Sequence, residues 1–452
     1  MQSPVAADLA GLVGSEHVCH DAHLLADASQ AMGLRGQAAA VTLPGSAEEV
    51  AAVVAWCYER GVPIVPRGGG TGYAGGAVPL DPDAVVVALD RLNRVRSFDP
   101  GLWRMEAEAG VTTQTVARLA RENGLFFPPD PGAAEQSQLG GNIATNAGGP
   151  HCFKYGVTRE WVSGVEAVVA PGELVRFGGP LRKDVAGYDL VGLLCGSEGT
   201  LAIVTSAWLR LLPAPQLQLP VVGAFAGVQE GCDAIERVLA SGVVPATLEY
   251  LDAGALAASA ATFPGGLPRG TAFLVVCEAD SSEADAAELE EALAGELSAA
   301  LGGGRDRDSR ELWRWREGVS LAVTARRGGK LSEDVAVPLD RLAEGISGTV
   351  EIAERHGLEG CSWGHAGDGN LHSTFLLEPG NTEQLARAEA AVEELFALVL
   401  SLGGSVTGEH GLGWLKRGQL RQQWSPAAVG AHEAVKAALD PKGLFNPGKK
   451  TA

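Results

Sequence analysis

Several features that mark other classes of protein are scarce or missing in this chain of 452 residues. Basic residues are outnumbered, because 35 Lys and Arg stand against 55 Asp and Glu, and the formal net charge is −20. That charge argues against nucleic acid or an anionic membrane surface as a partner. No run of about 18 apolar residues occurs, so the sequence predicts no integral membrane segment.

The seven cysteines are odd in number, scattered, and without a CxxC pair. This pattern argues against a disulfide framework and against a thiolate zinc site. The first residues, MQSPVAADLAGLVG, lack the basic region and the uninterrupted apolar region of a secretory signal. We therefore expect a soluble protein in a reducing, cytoplasmic compartment.

The composition is otherwise that of a globular chain, with 46% hydrophobic and 20% charged residues. Helix and strand patterns alternate in the first part of the chain, where Ser46 and Glu49 form a capping-box pattern that predicts a helix to Arg60. Pro213 and Pro215 then mark a linker. Beyond it, long Ala/Glu/Leu helices alternate with apolar strands, which predicts an α+β layer of a different kind.

Glycine is abundant, with 61 residues, and one glycine-rich loop imitates a dinucleotide-binding motif. The segment from Gly70 to Gly75 reads GTGYAG after a predicted strand, and Asp90 follows 20 residues later, as in a GxGxxG fingerprint. That fingerprint must open a helix, and Pro79 and Pro82 prevent one here. The segment instead predicts a bare loop whose backbone amides bind phosphate, with a flexible glycine loop as the alternative.

A second glycine-rich segment, LGGNIATNAGGP at 139–150, lies within a long stretch that has little periodicity from 127 to 149. The string PPDPG at 128–132 precedes it. Long irregular stretches inside compact domains are usually functional. Two separate phosphate-type loops suit a long cofactor with two ends.

Together these strings resemble the FAD-linked oxidases of the vanillyl-alcohol oxidase and p-cresol methylhydroxylase fold. The resembling segments are PRGGGTGYAGG (66–76), PPDPG (128–132), GGNIATNAGG (140–149), KYG (154–156), KDVAGYDL (183–190) and GSEGTLAIVT (196–205). The resemblance implies an α+β fold with an FAD-binding domain of two subdomains at 1–213. It also implies an α+β cap domain with an antiparallel sheet that binds substrate at 214–403, and a short helical C-terminal segment at 404–452 that packs back on the flavin site.

In this family the first loop wraps the FAD diphosphate, and the other segments line the adenine and the flavin. Some members attach the flavin covalently through a histidine in the first loop, where this chain has Thr71, so the resemblance implies non-covalent FAD. It assigns FAD contacts to Pro66, Arg67, Gly68, Gly69, Gly70, Thr71, Gly72, Gly75, Gly76, Pro131, Gly132, Gly140, Gly141, Asn142, Ala144, Thr145, Asn146, Gly148, Gly149, Tyr155, Gly156, Gly196, Glu198, Gly199, Ile203 and Asn446.

Histidines are few, nine in all, and four of them lie in GHAGDGNLH at 364–372 and GEHGLG at 408–413. The glycines of the first motif predict a turn between strand ends, which can direct His365 and His372 to one point. Glu409 can add an oxygen ligand. Two histidines and a carboxylate are typical of catalytic zinc and of non-haem iron or manganese. Structural histidines held by hydrogen bonds are the alternative.

These two motifs resemble the D-2-hydroxy acid dehydrogenase branch, which includes D-lactate dehydrogenases, D-2-hydroxyglutarate dehydrogenases and the flavin subunit of glycolate oxidase. The resemblance implies a divalent metal at His365, His372 and Glu409, with zinc first and manganese or iron as alternatives, and His410 as the catalytic base. A 2-hydroxy acid would chelate the metal, which lowers the pKa of its hydroxyl. A neutral histidine can then take the proton while hydride passes from Cα to flavin N5.

The resemblance also assigns the substrate carboxylate to Arg316, Ser320 and Lys330, although the segment before Lys330 is one residue shorter than in the family. From the residues alone, Arg314 and Arg316 suggest a solvated helix face, and Trp313 and Trp315 suggest packing. Dicarboxylate-specific relatives carry an Asn two residues after the second metal histidine, where this chain has Thr374. Threonine cannot offer paired amide donors, so we expect a small substrate such as D-lactate or glycolate.

The sequence therefore predicts an FAD enzyme that oxidises a D-2-hydroxy acid to a 2-oxo acid. The electron acceptor is expected to be other than NAD: a quinone, an electron-transfer flavoprotein, a cytochrome or a partner subunit. A homodimer is one expected assembly. Four alternatives stay open: a flavin subunit that is inactive alone, a D-2-hydroxyglutarate dehydrogenase, an alkyl-dihydroxyacetone-phosphate synthase type of the same fold, and a metal-binding protein without flavin.

Overall fold

The computed structural model describes residues 4–29, 33–298, 301–304 and 308–452. The chain divides into two compact units. Unit 1 consists of Met1–Gly149, Gly156–Ala214 and His410–Ala452, and unit 2 consists of Pro150–Tyr155 and Pro215–Glu409. The domain limits expected from the sequence, at 213 and 403, remain predictions. None of the described helices is both long and apolar enough to cross a membrane.

The first 213 residues contain seven described helices: α1 (Pro4–Val13), α2 (Ala47–Arg60), α3 (Thr113–Glu122), α4 (Leu139–Thr145), α5 (Cys152–Tyr155), α6 (Thr158–Trp161) and α7 (Leu190–Leu194). The described strands of the same part are β1 (Val18–Cys19), β2 (Ala40–Thr42), β3 (Ile64–Arg67), β4 (Val85–Ala88), β5 (Val95–Asp99), β6 (Arg104–Glu108), β7 (Leu125–Phe126), β8 (Val162–Val169), β9 (Glu173–Gly178), β10 (Ile203–Arg210) and β11 (Leu212–Pro213).

The described strands that follow are β12 (Leu217–Phe225), β13 (Thr247–Leu251), β14 (Phe273–Ser281), β15 (Gly302–Gly304), β16 (Gly329–Ala336), β17 (Glu359–His365) and β18 (Asn370–Leu377). The helices are α8 (Val228–Ala240), α9 (Ala253–Ser259), α10 (Glu283–Glu296), α11 (Ser309–Arg327), α12 (Leu342–Arg355), α13 (Thr382–Ser401), α14 (Leu420–Gln423) and α15 (Pro426–Leu439).

Unit 1 contains two main sheets. The first has the order β1-β2-β4-β3, in which β2 and β3 both run parallel to β4. The second is antiparallel with the order β5-β6-β10-β8-β9. Helix α2 packs its apolar face on strands of the first sheet in a core that includes Val50, Val54, Ile64 and Val85. Strand β3 is the edge strand of this sheet, and burial of Ile64 holds it in place. The first glycine loop follows directly after β3.

The predicted helix over 47–60 is confirmed. Ser46 accepts a hydrogen bond from the N–H of Glu49 at 3.2 Å, and the Glu49 carboxylate accepts one from the N–H of Gly45 at 2.7 Å. The helix ends at Gly61, whose φ of 70° suits glycine. The segment GTGYAG at 70–75 forms bends and irregular backbone rather than the helix that a dinucleotide-binding fingerprint requires, as expected.

The expectation of an irregular stretch up to Gly149 was wrong at one point, because Leu139–Thr145 forms helix α4. Two glycines lower the helix propensity of this segment. A Cβ on Gly140 would lie 2.8 Å from the Cβ of Ala109, so only glycine lets the helix pack this closely on the end of β6. Packing thus outweighs propensity here. Helix α7 also lies in a segment expected to be irregular, and the Asp189 side chain caps it by accepting from the N–H of Gly192.

Unit 2 is built on a seven-stranded antiparallel sheet with the order β15-β12-β14-β13-β17-β18-β16. The antiparallel cap sheet expected from the sequence is therefore confirmed. Helix α11 packs on one face, where Leu312, Trp315 and Val319 join an apolar cluster. Helix α12 packs on the opposite face, where the hydroxyl of Thr349 bonds that of Ser373 at 2.8 Å.

The segment Pro150–Tyr155 also belongs to unit 2. Lys154 and the hydroxyl of Tyr155 both bind the carboxylate of Asp280 on β14, and His151 lies 3.4 Å from a carboxylate oxygen of Glu278. Both acids are buried. This short excursion of the chain is therefore anchored on the sheet by two buried carboxylates.

Candidate active site

Two glycine-rich segments pack against each other in unit 1. A Cβ on Gly68 would lie 3.2 Å from the Cα of Gly141, and a Cβ on Gly69 would lie 2.0 Å from the carbonyl oxygen of Gln136. Contacts this short exclude any side chain at Gly69. The structure thus brings together the loop after β3 and the start of α4, which the sequence analysis assigned to the same cofactor.

The segment Gly196–Gly199 and the C-terminal tail join this cluster. The N–H of Gly196 donates to the carbonyl of Ile143 at 2.8 Å, and the N–H of Glu198 donates to that of Ala144 at 2.7 Å. The buried Asn446 side chain donates to the carbonyl oxygens of Gly76 at 2.9 Å and of Glu198 at 2.8 Å. Segments from four distant parts of the sequence therefore meet around the glycine loops.

This cluster fits a polar cofactor. A Cβ on Gly72, Gly76 or Gly132 would meet no described atom within 4 Å, so the backbone is open at these points. The buried atoms Asp90 Oδ2 and Gln138 Oε1 have no hydrogen-bond partner among the described residues. Because leaving a buried acceptor unpaired costs about 1–3 kcal/mol, these two atoms indicate a ligand with hydrogen-bond donors. The hydroxyl and amino groups of FAD meet that requirement.

Some side chains of the predicted FAD set are engaged within the protein. The guanidinium of Arg67 donates to carbonyl oxygens of residues 23, 24, 26 and 68. The Asn142 amide donates to Thr113 Oγ1, and the side chain of Ile203 lies in an apolar core. Tyr155 lies in unit 2, where its hydroxyl binds Asp280. The FAD contacts of these residues remain predictions.

The three expected metal ligands converge in unit 2. His365 ends β17, His372 lies on β18, and a short 3-10 turn at Ala366–Asp368 separates the two strands. The Nε2 atoms of both histidines lie 3.6 Å from Glu409 Oε1, and one ligand atom from each residue falls within 4.8 Å of the others. Two ligands bonded to one zinc ion at about 2.1 Å stand about 3.4 Å apart. The donor set and its spacing therefore fit a divalent metal ion.

The backbone that carries Glu409 is held by a buried aspartate. Asp334 of β16 accepts hydrogen bonds from the N–H of Gly408 at 2.9 Å and of Glu409 at 3.0 Å, and from Thr407 Oγ1 at 2.9 Å. A Cβ on Gly408 would lie 2.0 Å from Nδ2 of Asn370, which itself donates to Asp334. The register also places Asp334 directly opposite His372 on β18.

A second buried acid, Glu249 of β13, contacts one of the three expected metal ligands, His365. Its side chain is fully buried, and its two oxygens lie 2.5 Å from His365 Nδ1 and 2.5 Å from Arg316 Nη2. Burial alone would raise the pKa of Glu249, but the charges of His365 and Arg316 outweigh it and lower that pKa. Glu249 was not among the site residues predicted from the sequence. The available signal was one acidic residue in the otherwise apolar strand pattern TLEYL.

The expected substrate residues line helix α11 and strand β16. Arg316 is buried, and its Nε has no hydrogen-bond partner among the described residues, so the solvated-face interpretation was wrong for Arg316. Lys330 Nζ donates to Ser320 Oγ at 2.6 Å, and burial lowers the pKa of Lys330 to about 8. Trp315 packs edge-on against Phe263, as expected. The Nε donor of Arg316 is thus available to a ligand, as far as the described residues show.

The expected base, His410, is the first residue of unit 1 after Glu409. Because the two residues are consecutive, the Cα atoms of Glu409 and His410 lie about 3.8 Å apart. Its ring lies 4.9 Å from the ring of Tyr73. The carboxylate of Glu198 accepts hydrogen bonds from the N–H groups of Leu412 at 3.0 Å and Gly413 at 2.6 Å, so the GSEGT segment anchors the turn that follows His410.

Comparison with known proteins places these observations in a family. The family model described as "FAD binding domain" matches residues 38–178, and the one described as "FAD linked oxidases, C-terminal domain" matches residues 215–450. A glycolate oxidase subunit GlcD from Bacillus subtilis is 35% identical over 91% of this chain and 89% of its own length. A D-2-hydroxyglutarate dehydrogenase from Xanthomonas citri pv. viticola is 36% identical over 91% and 88%. A probable mitochondrial D-lactate dehydrogenase from Danio rerio is 35% identical over 90% and 83%.

Solved structures show the same fold. The 4-ethylphenol oxidase from Gulosibacter chungangensis superposes with a TM-score of 0.79 and 21% identity, over 99% of this chain and 96% of that one. p-Cresol methylhydroxylase superposes with a TM-score of 0.78 and 19% identity, over 98% and 96%. At these identities the likeness shows the fold alone, and it confirms the expected α+β fold class. With both domains matched and relatives above 30% identity along nearly its whole length, the chain is an FAD-dependent oxidoreductase that belongs to the FAD-linked oxidase family.

Proposed function

We propose that this protein oxidises a small D-2-hydroxy acid, such as D-lactate or glycolate, to the 2-oxo acid, with non-covalent FAD and a divalent metal ion. The observation that carries the proposal is the side-chain group of unit 2, in which a two-histidine, one-carboxylate set is linked through Glu249 to a buried arginine. A hydroxy acid carries the two functional groups that such a set can recognise. Relatives are named as a glycolate oxidase subunit, a probable D-lactate dehydrogenase and a D-2-hydroxyglutarate dehydrogenase. These names support the same substrate class.

Arg316 and Lys330 are proposed to bind the carboxylate of the substrate. The buried Nε of Arg316, which has no partner in the described part of the chain, supports this role, because a carboxylate would satisfy it with a charge-assisted hydrogen bond. Lys330 Nζ is joined to Ser320, so the hydroxyl and the ammonium act as one donor group. The chain carries a formal charge of −20, so an anionic substrate needs local cations of this kind.

His365, His372 and Glu409 are proposed to hold the metal ion, with zinc first and manganese or iron as alternatives. A divalent ion supplies Lewis acidity that favours loss of the substrate hydroxyl proton. The Nδ1 of His365 faces Glu249, so its Nε2 is the atom directed toward Glu409. When the ring is neutral, as metal binding requires, that tautomer presents a lone pair to the metal ion.

His410 is proposed to take the hydroxyl proton, because it adjoins a metal ligand in the chain and a neutral imidazole is suited to that transfer near neutral pH. FAD supplies the two-electron oxidant. Thr71, at the position where some family members carry a flavin-linked histidine, supports non-covalent attachment. The backbone of residues 68–76 and the segment Gly196–Gly199 are proposed to bind this cofactor.

A small substrate substituent is supported by Thr374. This residue is buried, and its hydroxyl bonds Ser332 Oγ at 2.7 Å. A hydroxyl used in this way, on a side chain shorter than Asn, is poorly suited to hold a distal carboxylate. We therefore favour D-lactate and glycolate over D-2-hydroxyglutarate.

The electron acceptor is proposed to be other than NAD. Relatives named as glycolate oxidase subunits favour a partner subunit as acceptor, with a quinone, an electron-transfer flavoprotein or a cytochrome as alternatives. The odd and scattered cysteines support a reducing, cytoplasmic location. A homodimer is the proposed assembly of the chain itself.

A substrate panel monitored by flavin bleaching under anaerobic conditions tests this function. The purified, metal-loaded protein should lose its absorbance near 450 nm with D-lactate or glycolate and should keep it with L-lactate. Acid precipitation should leave the flavin in the supernatant. Bleaching by none of these 2-hydroxy acids, or flavin in the pellet, would contradict the proposal. Bleaching without turnover of an artificial acceptor would support the flavin-subunit alternative.

A further inference from the structure

Glu249 occupies a position that connects two parts of the proposed site. It lies on β13, the central strand of the seven, directly opposite His365 in the strand register. One carboxylate oxygen lies 2.5 Å from His365 Nδ1, and the other lies 2.5 Å from Arg316 Nη2. We propose that Glu249 is a positioning residue that fixes both the metal-binding tautomer of His365 and the carboxylate-binding orientation of Arg316. This inference rests on the proposed function.

The first half of the role follows from hydrogen-bond chemistry. A carboxylate accepts and does not donate, so Nδ1 of His365 must carry the proton. In the neutral ring that metal binding requires, Nε2 then keeps its lone pair, and Nε2 is the atom that lies 3.6 Å from Glu409 Oε1. In metal sites, such outer carboxylates orient the histidine ring and increase its basicity. Glu249 is therefore suited to prepare His365 for a metal ion.

The second half concerns Arg316. Its side chain is buried on α11, and Glu249 takes only its Nη2. The Nε atom has no partner among the described residues. A planar guanidinium that is fixed at one end presents its remaining donors in a defined direction. Glu249 thus holds the arginine while leaving donors for a substrate carboxylate.

A glutamine at this position cannot serve both contacts. The amide has one acceptor oxygen and one donor nitrogen, so either Arg316 loses its acceptor or the NH₂ group faces His365 Nδ1. In the second case Nδ1 must accept, Nε2 must carry the proton, and the lone pair for the metal is lost. Either outcome differs from the simple removal of a buried charge.

The test measures the affinity of the FAD-loaded protein for Zn²⁺ by competition with a chromophoric chelator. We expect Glu249→Gln to weaken zinc binding about 10- to 100-fold, the usual effect of losing such an outer partner, with its FAD content unchanged. The KM for D-lactate should also rise. Glu278→Gln is the matched control, because Glu278 is another fully buried glutamate, on the neighbouring strand β14, that accepts from Trp313 Nε1 and Ser309 Oγ rather than from the metal group.

Each outcome decides a separate question. Zinc affinity within twofold of wild type in Glu249→Gln, or an equal loss in Glu278→Gln, would overturn the role of Glu249. His372→Ala provides the separate check on the proposed function. Zinc binding that is indifferent to His372 contradicts the metal site itself, whereas binding that needs His372 but not Glu249 overturns only the present inference.

A measurement on the wild-type protein covers the case in which Glu249→Gln fails to fold. In protein labelled with ¹⁵N-histidine and loaded with FAD and Zn²⁺, the ring signals of His365 can be assigned by their loss in His365→Gln. We expect a protonated Nδ1 and a metal-bound Nε2. The opposite tautomer would overturn the inference.

Discussion

Glu198 accepts a hydrogen bond from the backbone N–H of Gly413 across a separation of 215 residues. The same carboxylate accepts from Leu412 at 3.0 Å and lies 3.1 Å from Lys450 Nζ. Gly411 lies so close that a Cβ there would meet Glu198 Oε1 at 2.8 Å. The turn that follows His410 is therefore tied to the GSEGT segment by one side chain.

Replacing Glu198 by Gln should loosen this turn. The amide NH₂ would face a backbone donor, and hydrogen bonds to a charged group contribute about 1.5–3 kcal/mol each. We expect faster hydrogen exchange at Leu412 and Gly413 and a kcat that falls about tenfold or more. Lys450→Met, which keeps the carboxylate and both amide contacts, is the control. Unchanged exchange in Glu198→Gln would show that the carboxylate does not hold the turn.

Substitution of His410 tests its proposed role as base. His410→Ala should lower kcat by about two to four orders of magnitude, the usual contribution of a general base, and should retain FAD and metal. Tyr73→Phe, which keeps the neighbouring ring at 4.9 Å, should stay within a few-fold of wild type. A loss of activity that is explained wholly by lost flavin would leave His410 without a catalytic role.

Removal of the metal ion should abolish activity without releasing the flavin. Because His365, His372 and Glu409 all lie in unit 2 and the glycine loops lie in unit 1, chelation should abolish turnover while the flavin spectrum persists. Added Zn²⁺ or Mn²⁺ should restore activity to wild type but not to His372→Ala. Metal content by mass spectrometry checks the removal, and full activity of a verified metal-free protein would exclude the site.

The lowered pKa of Lys330 leads us to expect that substrate binding depends on pH. Burial lowers the pKa of Lys330 to about 8 from its usual 10.5. The cation is therefore present below pH 8 and is lost as the pH rises through that value, so the KM for D-lactate should increase between about pH 7 and pH 9. Lys330→Arg keeps its charge throughout this range and should flatten the increase. An identical alkaline rise in both proteins would assign it to another group.

Substrate size can be tested by comparing kcat/KM for D-lactate and D-2-hydroxyglutarate. We expect a preference for D-lactate, because Thr374 is buried and already bonded to Ser332. Thr374→Asn should shift the ratio toward the dicarboxylate, and Thr374→Val serves as the control of similar shape. A tenfold preference of the wild type for the dicarboxylate, about 1.4 kcal/mol in transition-state binding, would contradict the assignment.

Elements whose signals are local in the sequence were predictable. Ser46 with Glu49 marked the start of α2, and the apolar strands expected beyond Pro215 include the buried β14. The helix at Leu139–Thr145 was missed because its glycines suggest a loop, whereas the contact of Gly140 with Ala109 and the approach of Gly68 to Gly141 explain them. A contact between residues far apart in sequence leaves no periodicity to detect.

The candidate site was predictable where its residues lie in short motifs. His365, His372 and Glu409 were recognised from two glycine-rich strings, and the structure brings them together. Glu249 and Asp334 were not recognised, since each stands alone in an ordinary strand pattern. Their importance depends on what faces them across the sheet: His365 lies opposite Glu249, and His372 lies opposite Asp334.

The segment Pro150–Tyr155, which belongs to unit 2, limits how unit 2 can be exchanged between proteins. A chimaera that transfers residues 215–409 of this chain into a relative would carry Asp280 and Glu278 but leave Lys154, Tyr155 and His151 behind. Both imported acids are buried, so a mismatched hexapeptide would leave charges without partners. The sheet and the hexapeptide therefore form one structural unit despite 59 intervening residues that belong to unit 1. A chimaera that takes unit 2 of this chain should therefore include residues 150–155 as well as 215–409.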